Sequence, residues 1–340
     1  MKYNSLNKIV SEYIKNNKFY ISTIQEVEKI SINILNQDYP IINTNEWSKN
    51  INLNDSIKIV YDFLTNIDQQ LADQFQNIIN QVDSNNNPIV RFIPKDQCTK
   101  TNNDGKSITD SCVTSDGIVY IIYEENPNDV FVILHEMMHK MNESWMFQYK
   151  NKIEYFTNEL LNKPFSERKI ELGQKFETIT RDYFGEAVSI TSEMILGEYL
   201  VSNEIITEND FNLRKTKRLN GAKQKARDFI INANLINMKL NGIIINYDNL
   251  EIFLSNFDKK SPIYKILLDE SHDQKRINNI IKNQNMDLEI SQRYVIGQYI
   301  SNQFIKSQKS TEELIKLHNA ISNKNINEVI DEIKNNHPTL

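Results

Sequence analysis

Glycine is absent from this 340-residue chain before Gly105, and proline interrupts that stretch only at Pro40, Pro88 and Pro94. A segment so poor in chain breakers reads as helices from Leu6 to about Asn86. With 8 Gly and 2 Cys in all, collagen-like and disulfide-scaffold classes are excluded. No apolar run approaches the roughly 18 residues that a membrane span needs. Basic charge is in deficit, 39 Lys+Arg against 45 Asp+Glu, for a net charge of -6. A general affinity for nucleic acid or for an anionic membrane is therefore not expected. No arginine precedes Arg91, and residues 1–20 hold no apolar centre. Neither a mitochondrial presequence nor a secretory signal fits, so the expected location is the cytoplasm, or a host cell to which the protein is delivered. Cys98 and Cys112 can face each other across a hairpin or remain reduced thiols.

What is present is the make-up of a folded globular chain: 39% hydrophobic and 25% charged residues. Asn is abundant, roughly one residue in seven, which we attribute to an AT-rich genome. Ile57, Val60, Tyr61, Leu64 and Ile67 recur at helical spacing, as do Leu71, Phe75 and Ile78. Asp83 to Pro88 is the clearest break. It marks a boundary between an N-terminal helical lobe, 1–87, and a larger domain, 88–340.

That domain opens on the one β-prone region, 88–124. Ile89–Ile93 and Gly117–Tyr123 are apolar runs with turn residues between them, and two or three antiparallel strands are expected. Helix patterns then dominate: a helix over 127–143, a long helix from Glu167 to about Val201, another from Glu208 to about Leu240, and shorter ones at 248–257, 271–284, 289–307, 310–322 and 325–335. The expected fold is mainly α with a small antiparallel sheet, arranged as two helical lobes around a cleft.

The chemistry-bearing motif lies on the helix that starts after Asn126. Asn126 suits an N-cap, Pro127 the first helical position, and Asp129 the positive end of the helix dipole. The helix then presents His135-Glu136-Met137-Met138-His139. Histidines at i and i+4 stand one turn apart on one face, so both imidazoles can ligate one Zn²⁺. Glu136, beside the first ligand, can reach a water at the open position and act as general base. With 5 His in the chain, chance yields about 0.005 such motifs.

A third ligand is needed, and no His follows His139 before His272. Asp182, Glu186, Ser189 and Glu193 share one face of an otherwise apolar helix. Acids buried on such a helix are costly unless paired or bound to metal. Glu186 is the expected ligand, with Asp182 or Glu193 orienting a ligating histidine from behind. Arg214, Lys215, Lys217, Arg218, Lys223, Lys225 and Arg227 form a basic stretch with no acid inside it. It is expected to be a solvated helix face. Met137, Met138 and Met141 are expected in the core.

These residues resemble the oligoendopeptidase F and thimet oligopeptidase family of zinc peptidases. The likeness covers 117–200: a strand, an HExxH helix, then Glu186-Ala-Val-Ser189-Ile-Thr-Ser-Glu193, matching the family's Glu–x–x–Ser–x–x–x–Glu. Met138 stands where the family has Gly, and the interval 144–180 is longer than the family's. Tyr183-Phe184-Gly-Glu186-Ala also resembles the lethal-factor-like zinc toxins. The resemblance implies a zincin-like (gluzincin) core, one Zn²⁺ on His135, His139 and Glu186, and hydrolysis of peptide bonds in a peptide or protein substrate. By a weaker likeness over 288–307, Tyr294 or, second, Tyr299 would stabilise the oxyanion. In a helix these two point about 140° apart, so one of them faces the site. The strand before the zinc helix would be an exposed edge to which a peptide adds. The alternatives are an effector or toxin protease with one dedicated target, and a non-catalytic helical interaction protein that retains the fold.

Overall fold

The computed structural model describes residues 24–98, 110–114, 117–141, 184–240, 258–271 and 288–307, with isolated positions between 243 and 255. It is mainly helical. Helices α1 (Ile24–Leu35), α2 (Leu53–Ile67) and α3 (Gln69–Ile79) come first. Asn52 caps α2 by accepting the Asp55 N–H at 2.9 Å. Asp68 both ends α2 and starts α3, its carboxylate accepting the Gln70 N–H at 2.8 Å. The break at Asp83–Pro88 is a tight turn. The Asp83 carboxylate accepts the Asn85 and Asn87 N–H groups, and Asn86 takes a left-handed φ of 62°.

Strands β1 (Val90–Pro94), β2 (Cys112–Val113) and β3 (Val119–Tyr123) form one sheet in the order β1–β3–β2. The sheet is mixed, which corrects the expectation of an antiparallel one. β2 pairs antiparallel with β3, but β1 runs parallel to β3, Val90 opposite Val119 and Pro94 opposite Tyr123. The chain between Pro94 and Val119 is long enough to cross back and re-enter in the same direction, which a two-residue hairpin cannot do. β3 is consequently the central strand and not an exposed edge. Just before β2 begins, the Ser111 hydroxyl accepts the Ile122 N–H at 2.9 Å. Cys98 and Cys112 are free thiols.

Beyond the sheet come α4 (Pro127–Met141), α5 (Phe184–Ser202), α6 (Glu208–Leu240), α7 (Pro262–Ser271) and α8 (Leu288–Ser307). The α6 bounds are those the pattern predicts. The expected long helix ending near Val201 appears as α5, while 167–183 and the patterns at 310–322 and 325–335 lie outside the described residues. α4 is enclosed by α2, α5 and β3, and α8 packs on α5 and α6. One continuous apolar core runs through these elements. Phe63 and Phe75, before Pro88, share it with Phe131 and Phe229, after it. Each such side chain contributes roughly 2 kcal/mol on burial. Met137, Met138 and Met141 fill it beneath the two histidines. A smaller cluster joins the end of α6 to α7 through Ile231, Leu235 and Leu267. No helix among the described residues is long and apolar enough to cross a membrane.

Candidate metal centre

The start of α4 is fixed by its own sequence. After β3 the chain turns at Glu125, φ 56°. The Asn126 side chain accepts the Asn128 N–H at 2.9 Å, and the Asp129 carboxylate accepts the N–H groups of Glu124 and Asn126 in return. This reciprocal cap sets the helix phase. Two turns on, that phase brings the imidazoles of His135 and His139 together, Nε2 to Nε2 at 3.0 Å.

Helix α5 lies across α4 and supplies Glu186. Its two carboxylate oxygens stand 3.8 Å from His135 Nε2 and 3.5 Å from His139 Nε2. His135, His139 and Glu186 are buried, and their ligand atoms converge closely enough to hold one metal ion. Glu186 Oε2 has no hydrogen-bond partner. A buried carboxylate oxygen left this way is costly unless a cation takes it. Gly297 of α8 permits the arrangement. A Cβ there would come within 2.5 Å of Glu186 Cβ, so a side chain would push the ligand helix away.

Behind the triad stands Glu193, one more pair of turns along α5 and fully buried. One oxygen lies 2.6 Å from His135 Nδ1. The other accepts from Arg214 Nε at 2.8 Å and Arg214 Nη2 at 2.5 Å. Arg214 is tied in turn to Asn128 Oδ1 and lies over the Phe131 ring. Arg218, one turn further on α6, approaches both Glu186 and Glu193 at 3.7 Å.

The charges follow from this layout. Burial drives the His139 imidazole down to about 3, so it is neutral and offers a lone pair. Burial, aided by the Glu186 and Glu193 charges, lifts the Glu136 carboxyl to about 7. For Glu186 burial pulls upward, but the two histidines and the nearby arginines outweigh it and hold the carboxyl below its usual range. Glu193 is likewise held below its usual range, with Arg214 the chief opposing charge to its burial. The Glu186 charge, with burial, raises the Tyr294 hydroxyl.

His135 and Glu136 open onto a cavity of about 290 Å³, whose walls include Tyr294 of α8 and one face of α6. Tyr294 therefore reaches the site. Tyr299 packs against the apolar core and does not line this cavity. Asp182, like His272, lies outside the described residues. Comparison of the chain with protein-family models, with curated proteins and with solved structures gives no match. The geometry of the site is the ground for any functional reading.

Sequence reasoning expects Arg214 and Arg218 on a solvated helix face. The stretch is solvated only in part: Lys217 is exposed, but Arg214 and Arg218 turn into the acidic stripe of α5. The signal was available. A buried acidic stripe demands cations, and an acid-free run with arginines at i and i+4 supplies them.

Proposed function

We propose that this protein is a zinc-dependent peptide hydrolase of gluzincin type, its metal held by His135, His139 and Glu186. The observation that carries this reading is the convergence of three buried donor atoms from two helices beside a cavity that Glu136 also lines. Ligands at zinc distances around a tetrahedral ion lie about 3.3 Å from one another. The observed separations of 3.0, 3.5 and 3.8 Å fit such a set. Two imidazoles and one carboxylate suit zinc and leave a fourth position open.

When bound, the metal supplies Lewis-acid activation of water and of the scissile carbonyl. Glu136 takes the proton of the attacking water at its carboxylate and hands it to the leaving amine nitrogen. Glu193 orients His135 by holding Nδ1, which directs the Nε2 lone pair at the metal position, and Arg214 keeps Glu193 in place. The Tyr294 hydroxyl stays protonated at neutral pH and donates to the developing oxyanion. Tyr299 has no part in this scheme.

The test is chelator-sensitive cleavage of a mixed peptide library, beside a Glu136→Gln variant. Cleavage by the wild type, lost on chelation and lost in the variant while metal is retained, supports the proposal. Full activity in Glu136→Gln would refute it. Stoichiometric zinc without cleavage would favour the non-catalytic interaction protein, and cleavage of one folded protein alone would favour a dedicated protease.

A further inference from the structure

The face of α6 that meets the cavity carries Arg214, Lys217, Arg218, Gly221, Ala222 and Lys225, spaced i, i+3, i+4, i+7, i+8 and i+11. This is one continuous helical stripe. Its cations are not equally occupied. Arg214 is committed to Glu193. Arg218 faces Glu186 and Glu193, at 3.7 Å from each. The Lys217 ammonium lies over the Trp47 ring at 4.9 Å, and that of Lys225 over the Tyr294 ring at 5.4 Å. An aromatic face positions a cation without cancelling its charge. Glu124, which also attracts Lys217, is bound by Lys95. Apart from Glu136, Asp110 is the one acid among the described residues of this wall.

Two further observations point to a ligand. Gly221 has open space where a Cβ would stand, so a chain can run close to the α6 backbone. Gln298, 8% exposed, is part of the wall and keeps a buried side-chain carbonyl oxygen without a partner. The cavity, about 290 Å³, is at the lower end of ligand-sized pockets.

We infer that the substrate of this site is a peptide bearing a carboxylate, which Lys217 and Lys225 hold against α6 beside the metal. The inference rests on the hydrolase reading for the word substrate, but its binding half stands apart from catalysis. The carboxylate is that of an acidic side chain or of a peptide C-terminus. The preference is electrostatic, so it weakens as salt rises.

The experiment measures binding and cleavage separately. Zinc-loaded Glu136→Gln protein is titrated into labelled peptides in matched pairs: Glu against Gln at an internal position, and free against amidated C-terminus. The expected result is about tenfold tighter binding of one charged member over its neutral partner, falling towards parity in a Lys217→Gln/Lys225→Gln background with zinc content unchanged. The Glu/Gln pair and the terminal pair tell which carboxylate is held. Equal binding of charged and neutral peptides, or a preference that survives the double substitution, overturns the inference, as does equal or tighter binding of an RNA oligonucleotide. Wild-type protein on the same peptides reads cleavage. Preference in binding without cleavage by the wild type overturns the hydrolase reading and leaves carboxylate recognition standing.

Discussion

Glu193 Oε1 lies 2.6 Å from His135 Nδ1, and Glu193 Oε2 is gripped by Arg214. One buried carboxylate thus connects a metal-ligand candidate on α4 to a cation on α6. Replacing Glu193 with Gln keeps the shape and removes the charge that holds the imidazole. Metal affinity should fall about 10- to 100-fold, as it does when outer-shell partners are lost. Competition with a chelator of known affinity measures it, and an unchanged affinity would remove Glu193 from the account.

Arg214 is the counter-charge that makes this carboxylate tolerable. Arg214→Leu leaves Glu193 buried without its hydrogen-bonded cation, Arg218 standing off at 3.7 Å, and should cost about 3 kcal/mol in stability. The double variant Arg214→Leu/Glu193→Leu should recover a large part of that loss. Urea denaturation of the two single variants and the double gives the coupling directly. Additive losses would mean that the pair does not interact as its geometry requires.

Two glycines should respond in opposite directions. Gly297→Ala places a methyl 2.5 Å from Glu186 Cβ. It should destabilise by roughly 1–3 kcal/mol through overpacking and loosen the metal site as α8 moves off α5. Gly221→Ala meets nothing within 4 Å. In the middle of α6 it should stabilise by about 0.5–1 kcal/mol, because alanine loses less backbone entropy in a helix. Thermal unfolding of both variants checks the contrast.

Away from the metal centre, Glu28 of α1 accepts a hydrogen bond from Asn234 of α6 at 2.9 Å. Burial raises its carboxyl from 4.5 to about 7. The folded state therefore binds a proton more tightly than the unfolded chain. Its contribution is fully present below pH 4.5 and is lost as pH rises through 7. Glu28→Gln, which stays neutral, should match the wild type near pH 4 and exceed it by about 3 kcal/mol at pH 8. A constant difference across that range would show that Glu28 does not titrate as its burial implies.

The two histidines and Glu136 were legible because a 3.6-residue period and a local cap fix them within one helix. Glu186 and Glu193 were legible because acids on an apolar helix need a reason to be there. The α6 bounds could be read from an unbroken run of helix formers. Sheet direction could not, since parallel or antiparallel pairing depends on how 95–118 crosses, which no local pattern encodes. Arg214 and Arg218 looked like a solvated face because charge runs usually are. Their partners lie about 20–30 residues away on another helix, a tertiary pairing that spacing alone does not reveal. The choice between Tyr294 and Tyr299 needed the phase of α8 against α5, which the close approach at Gly297 sets.

The central claim is a single metal on His135, His139 and Glu186. Its most direct test is the metal content of the purified wild type, dialysed against zinc-free buffer, beside folded Glu186→Ala and His139→Ala variants. The account predicts about one zinc per chain in the wild type and loss of it in both variants. Wild-type protein without zinc, or a Glu186→Ala variant that retains it in full, would contradict the account.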